Sequence, residues 1–461
     1  MDRSKKLAEQ SIGKLLLEFS VPAIVGMLVN SLYIVIDRIF IGRVVGAMAI
    51  SGVSLTFPIG IVIMAFGMLV GIGAAAQISI KLGQHKKDEA EKILGNAFIL
   101  LIIVSLIVSV LGLTFLDPML RSFGASDNTI VYAKEFITII LFGAVLQNIG
   151  FGLNNIIRSE GNPKKAMMTM LIGCILNIIL DFIFIFGFGW GIKGAAMATV
   201  ISQAVNSIWV VSYFRGKNSM LKLKKENFKI DKNIVAGIFA IGMSPFAMQI
   251  ASSAVNIILN NSLATYGGDL AIGAFGIINS IATIFLMPIF GINQGSQPII
   301  GFNYGAKLYD RVKSALKLAG IAAVIVSTTG TIAVHVFPTV LVSMFNKSDA
   351  ELTAITVHGI KIFMIMFPVV GFQIVSSNFF QAIGKAKISM LLALLRQVII
   401  LIPMLLILPN IYNLNGIWMA APISDFIASI LTAVFLFIEM KKLSEEREIG
   451  ANSKVSMGYS K

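Results

Sequence analysis

The sequence predicts an all-α polytopic membrane protein, with twelve transmembrane helices in two six-helix repeats. Three observations carry this expectation. Composition is the first: 56% of the 461 residues are hydrophobic, only 13% are charged, and the mean hydropathy is +0.87, more apolar surface than a soluble fold can hide. The second is segmentation into apolar runs, each at or above the ~20 residues that cross about 30 Å of hydrocarbon. The third is charge, because Lys and Arg gather in alternate connections. Backbone groups in lipid must be bonded within a helix or a closed barrel, and these runs lack the period-2 alternation of barrel strands.

In chain order, helix 1 (15–41) follows a charged leader and is far longer than the ~7–15 apolar residues of a signal peptide, so it is expected to be retained. Helices 2 (52–80) and 3 (92–116) flank Lys81, Lys86, Lys87 and Lys92. Helices 4 (130–157) and 5 (165–187) flank Arg158, Lys164 and Lys165, and helix 6 (192–214) leads into seven basic residues between Arg215 and Lys232. Helices 7 (234–263) and 8 (270–301) precede Lys307, Arg311, Lys313 and Lys317. Helices 9 (312–338) and 10 (352–381) precede Lys385 and Lys387, and helices 11 (387–409) and 12 (415–438) complete the set. The expected organisation is an N-terminal lobe over 1–214, a cytoplasmic basic linker over 215–232, a C-terminal lobe over 233–440 and a cytoplasmic polar tail over 441–461.

Because the intervening loops carry almost no basic residues, the net charge of +14 reads as a topology signal rather than a nucleic-acid footprint. It places both termini inside a multi-pass protein of the cell membrane. The lone Cys174 excludes an intrachain disulfide and a cysteine metal site. There is no GxxxxGK[ST] phosphate loop, no HExxH, and the three histidines are far apart, so ATP hydrolysis and metalloproteolysis lack their residues. A non-enzymatic protein without an organic cofactor, energised by an ion gradient, is the expectation. Its expected partners are small drug-like organic molecules and the bilayer, with no nucleic acid and no obligate protein partner.

The two halves repeat weakly. "FSVPAIVGML" (19–28) aligns with "IGMSPFAMQI" (241–250), Pro22 over Pro245, and "GIGAAAQISIKLG" (71–83) with "GINQGSQPIIGFNYG" (291–305), Gln77 over Gln297. "RSEGNPKKAM" (158–167) aligns with "QAIGKAKISM" (381–390), and "GAAMATVISQ" (194–203) with "GIWMAAPISD" (416–425). Matches six helices apart fall on the same side of the membrane, which makes the repeat parallel.

With these motifs, and with "NIILD" in helix 5, the chain resembles the multidrug and toxic compound extrusion (MATE) family over essentially its whole length. "LRQVIILIP" in helix 11 and "APISD" in helix 12 look most like its bacterial multidrug branch. The resemblance implies two bundles forming a V-shaped structure around a central cavity, and a cation-coupled antiporter exporting organic, often cationic and amphipathic, compounds by alternating access. A lipid-linked oligosaccharide flippase of the same wider superfamily is the alternative; it would be expected to line its cavity with several Arg or Lys, of which only Arg396 lies deep.

An intramembrane carboxylate costs at least ~2.5–3.5 kcal/mol at a helix centre, so each one is a functional candidate. In "LNIILDFIFIF" (176–186) nine of eleven residues are apolar and the others are Asn177 and Asp181, four apart and so on one helix face. Asp37, Asp181 and Thr199 all fall roughly 7–11 Å from the outer helix ends at 1.5 Å per residue. The alternative for Asp37 is a helix-end carboxylate reaching water beside Arg38; for Asp181 it is a structural hydrogen bond. In the family, the equivalent residues of helices 1, 5 and 6 bind a proton or Na⁺, which points to Asp37, Asn177, Asp181 and Thr199, with a backbone carbonyl near Ala195. Two such carboxylates cannot both ionise cheaply, so the pair would share a proton. The same oxygens can ligate Na⁺.

In the other half Asn260 stands opposite Asp37 and Pro403 opposite Asp181, so coupling there is not expected. That half instead has Arg396 and Asp425 near mid-bilayer, read first as a buried ion pair, with a substrate-binding or protonation role as the alternative. His335, His358 and Lys361 read as interfacial. Gln147, Asn154, Asn155, Gln373 and Asn378 are candidate cavity residues or packing contacts, and Met64 and Met68 would suit an adaptable substrate surface.

Overall fold

The computed structural model describes residues 3–44, 52–345 and 349–458, with side chains given except at 33–35, 38, 39, 41–44 and 449–458. The Arg38 side chain, and the end of the tail expected over 441–461, lie outside what is described. No strand occurs among the described residues. Six spans precede the linker: α1 (Ile12–Val44), α2 (Phe57–Gly83), α3 (Lys87–Thr114), α4 (Ile130–Ser159), α5 (Pro163–Gly187) and α6 (Gly191–Arg215). Next comes one helical stretch of 74 residues, Lys232–Gly305, whose backbone leaves helical geometry at Gly268, with φ 64° and ψ −162°. At 1.5 Å per residue it would reach about 110 Å, more than three bilayer cores, so it comprises two spans, α7 before Gly268 and α8 after it. The chain closes with α9 (Tyr309–Val336), α10 (Ala350–Phe363 with Phe367–Ala382), α11 (Ala386–Tyr412) and α12 (Leu414–Gly458).

Local chemistry sets the boundaries. α4 ends in a turn where Gly161 takes φ 90°, and α5 begins with the Asn162 side chain accepting from Lys165 N–H, followed by Pro163 in the first turn. Span α10, expected to be continuous, is bent by 52° between its two pieces, with Pro368 in the first turn of the second. A break in lipid frees carbonyls that need donors. They come from α9: Ser327 Oγ donates to Pro368 O at 3.0 Å and Thr331 Oγ1 to Met364 O at 3.3 Å. Gly371 allows α10 this close to α9, since a Cβ there would collide with the Ala323 carbonyl.

Both α5 and α11 widen into π-helix, at Phe182–Gly187 and Leu395–Leu401. In α11 the cause is legible, because Pro403 two residues on has no N–H for an i→i−4 bond.

The chain divides into two compact units, one of residues 1–24, 83–85 and 251–461, the other of 25–82 and 86–250. Their boundaries cut α1 and α7 internally, and the basic linker belongs to the second unit. There it is fastened by buried side chains. Glu91 of α3 accepts from Lys222 N–H at 3.1 Å and pairs with Lys224 Nζ at 2.7 Å. Glu160, wholly buried, accepts from Ser219 Oγ at 2.7 Å, Met220 N–H at 3.1 Å, Leu221 N–H at 3.2 Å and the Tyr213 hydroxyl. In the first unit Arg311 of α9 donates to Leu7 O at 2.9 Å and Gln10 O at 2.7 Å. The segment leading into each repeat is thus held to the third helix of the other repeat, by an acceptor in one case and a donor in the other.

Candidate functional site

Asp37, Asn177, Asp181, Ala195 and Thr199 all fall in the second unit, on α1, α5 and α6. Asp181 is the last α-helical residue before the π segment of α5 and is wholly buried; Asn177, one turn earlier, is 3% exposed. A carboxylate oxygen accepts, so the Asn177 amide nitrogen is the group that should face it. So oriented, Asn177 donates to Asp181 Oδ2 at 3.0 Å and accepts from Thr199 N–H at 3.2 Å; the reverse orientation reaches only Thr199 Oγ1, at 3.4 Å. We take the first orientation because it satisfies both ends of the amide. Asn177 therefore ties α5 to α6 beside the carboxylate.

Asp181 Oδ1 is buried with no hydrogen-bond partner among the described residues. Asp37 is half-buried and stands near enough for its charge to act on Asp181. Helix α1 meets α5 just beyond the pair, where the Phe40 and Phe186 rings pack edge-on with centroids 5.3 Å apart. Ala195 is wholly buried and joins Ile185 and Ile192 in an apolar cluster with Phe40, Tyr132 and Phe136 around it. Small residues at Gly194, Ala195 and Ala196 let α6 approach the π segment of α5; a Cβ on Gly194 would stand 3.1 Å from Phe184. The arrangement is a largely buried recess holding two carboxylates, an amide and a hydroxyl. It can accept one small hard cation, or a proton.

The other candidates are distributed as follows. In the first unit Arg396 Nε lies 2.5 Å from Asp425 Oδ1, with Asp425 buried and the guanidinium on the π segment of α11. Asn154 is buried, donates to Ala166 O at 2.8 Å and accepts from Arg158; Asn155 donates to Phe151 O at 3.0 Å. Met64 is exposed, and Met68 and Gln147 are half-buried. Gln373 is buried with Oε1 unpartnered among the described residues, and Asn378 Nδ2 lies 3.4 Å from Asn293 O. His335 Nδ1 lies 2.9 Å from Thr331 O, His358 Nε2 lies 2.8 Å from Asn415 Oδ1, and Lys361 is exposed. Sequence reasoning overlooked Glu91 and Glu160. For Glu160 the available signal was a single acid set among basic loop residues; Glu91, one of three acids in "KKDEAEK", carried no such signal.

Fold and site together define a multi-pass helical membrane protein with a buried acidic recess in one of its units. The MatE family model matches residues 22–183 and again 245–407, and the chain belongs to that family of membrane transporters. The tandem match starts at Pro22 and Pro245, the prolines paired in the internal repeat. Similar proteins include one named multidrug export protein MepA from Staphylococcus haemolyticus, 28% identical over 439 residues (95% of this chain and 96% of that protein). The protein of the same name from Staphylococcus aureus strain NCTC 8325 is 28% identical over 435 residues, covering 94% and 95%. Among solved structures, a multidrug resistance MATE family transporter of the MOP superfamily in an outward-facing conformation superposes with a TM-score of 0.90 at 24% identity, over 95% of this chain and 98% of that one. A MOP superfamily transporter from Pyrococcus furiosus, described as having a binding pocket of reverse polarity that suggests a different function, gives the same values. These structural likenesses establish the fold.

Proposed function

We propose that this chain is a secondary active antiporter of the bacterial cell membrane, exporting organic, often cationic and amphipathic, compounds in exchange for H⁺ or Na⁺ by alternating access. The observation that carries the reading is Asp181: a wholly buried carboxylate with one oxygen unpartnered among the described residues, coupled electrostatically to a second carboxylate. Such a pair is stable in hydrocarbon when a proton or a cation neutralises part of its charge, and binding or release of that cation changes what the surrounding helices can pack against. Asn177 fixes the carboxylate and links it to α6; Thr199 Oγ1 and the Ala195 carbonyl complete a set of hard oxygens suited to Na⁺. The names of the Staphylococcus relatives support drug-like substrates.

The proposed lobes are 1–214 and 233–440, joined by the 215–232 linker and followed by the 441–461 tail, with linker, tail and both termini cytoplasmic. Met64, Met68, Gln147, Asn154 and Asn155 on the one lobe and Gln373 and Asn378 on the other are the proposed substrate residues. Engagement of Arg396 by Asp425 weighs against the flippase reading, which needs free deep cations for a pyrophosphate.

The reading is tested by reconstituting the protein in vesicles and following a fluorescent organic cation with ΔpH or ΔNa⁺ imposed separately. Counter-transport driven by one gradient is expected. Leakage down its own gradient, indifferent to both ions, would overturn it.

A further inference from the structure

We infer that a groove between α9 and α12 binds the headgroup of an anionic phospholipid. The groove is open, with a volume of about 460 Å³, and is lined by Lys313, Lys317, Phe437, Met440, Lys441 and Ser444. It sits at the first turns of α9, where the chain's basic residues gather. Lys313 Nζ donates to Ser444 Oγ at 2.5 Å, which fixes one ammonium across the groove. Lys317 and Lys441 form no ion pair among the described residues, while the carboxylate of Asp310 is already engaged by Arg447 at 3.1 Å. Three lysines therefore line one groove with no ion pair to a carboxylate among the described residues, and a phosphate diester supplies the counter-charge.

The surface running away from the lysines identifies a lipid rather than a free anion. Along α9, Lys317 is followed at four-residue steps by Ile321 and Ile325, which are 46% and 60% exposed. Along α12 the same side carries Ile430, Val434 and Phe437, exposed by 50%, 50% and 75%, and ends at Lys441. Two apolar stripes thus begin in hydrocarbon and end at ammonium groups, the order of parts in an anionic phospholipid. The repeat makes the groove specific to this half. Helices α3 and α9 begin equivalently, at Lys87 and Tyr309, each two residues after a residue of positive φ, so the positions matching Lys313 and Lys317 are Glu91 and Gly95 of α3, a buried acid and a buried glycine.

The experiment is native mass spectrometry of the purified full-length protein in detergent, titrated with phosphatidylglycerol, phosphatidylcholine or inorganic phosphate. It compares wild type with Lys317→Gln/Lys441→Gln and with the control Lys164→Gln/Lys225→Gln, whose exposed lysines lie elsewhere. Phosphatidylglycerol is expected to bind wild type and the control alike and the groove variant about 30-fold more weakly, two lysines' worth of headgroup attraction. Phosphatidylcholine should bind all three weakly. Undiminished phosphatidylglycerol binding by a groove variant whose lipid-free thermal unfolding matches wild type would overturn the inference. So would phosphatidylcholine binding as tight as phosphatidylglycerol, or inorganic phosphate displacing the lipid at equal concentration, which would make the groove a free-anion site.

Discussion

Asn177 donates to Asp181 Oδ2 at 3.0 Å from one turn earlier on the same helix, while Asp181 Oδ1 is buried with no partner among the described residues. The amide satisfies one oxygen of the carboxylate and, under the proposed function, leaves the other to be offered to the coupling cation. It also accepts from Thr199 N–H, so the state of the carboxylate is mechanically linked to α6.

Asn177→Ala is expected to reduce ion-driven export more than it reduces stability. It removes one charge-assisted hydrogen bond, about 1.5–3 kcal/mol in a buried site, and the tie to α6 with it. Initial export rates in vesicles, set beside thermal unfolding in detergent, separate the two effects.

Arg396 and Asp425 should behave as a buried pair. Arg396→Met or Asp425→Leu alone strands a charge and is expected to cost about 3–5 kcal/mol, whereas the double apolar change recovers much of that loss. A double-mutant cycle in thermal unfolding measures the coupling; an additive cycle would contradict the contact seen at 2.5 Å.

Glu160→Ala strands the donors of Tyr213, Ser219, Met220 and Leu221 at the end of α4. Several unsatisfied buried donors at about 1–3 kcal/mol each predict a strong loss of stability and release of the linker. Protease sensitivity confined to residues 215–231 in the variant is the readout.

Lys224 gives a pH dependence. Its hydrogen bond to Glu91, reinforced by Coulomb attraction, holds the ammonium above the usual lysine value. A raised pKa in the folded state means that the pair's stabilisation is complete below about 10.4 and is lost only as pH rises through the folded value. The gap in melting temperature between wild type and Lys224→Gln should therefore hold steady from about pH 6 to 9 and narrow only in strong alkali. A gap that closes near neutral pH would contradict the pairing.

The spans were legible because hydrocarbon imposes length and apolarity directly on sequence. Even the split of the 74-residue helix was visible in "YGGD" (266–269), where Gly268 takes the positive φ. The break in α10 was not anticipated. Its signal, Pro368, becomes structural only because Ser327 and Thr331 of another helix supply donors, a tertiary fact. For the site, the four-residue spacing of Asn177 and Asp181 carried the geometry, since helical periodicity fixes what shares a face. Asn154 shows the limit of that reasoning. Its helix face was readable, but which atoms its amide meets depends on where the Ala166 carbonyl falls, and sequence does not set that. Glu160, amid "RSEGNPKK", is buried because residues 219–221 of the linker fold back over it.

The most direct measurement is export of a fluorescent organic cation by Asp181→Asn protein in vesicles with an imposed ion gradient, alongside wild type at matched, verified incorporation. The amide keeps the size and much of the hydrogen bonding of the carboxylate but cannot exchange a proton or present a full charge to Na⁺. Loss of gradient-driven export, with thermal unfolding close to wild type, is the expected result. Export at the wild-type rate by well-folded Asp181→Asn protein would contradict the assignment of the coupling site.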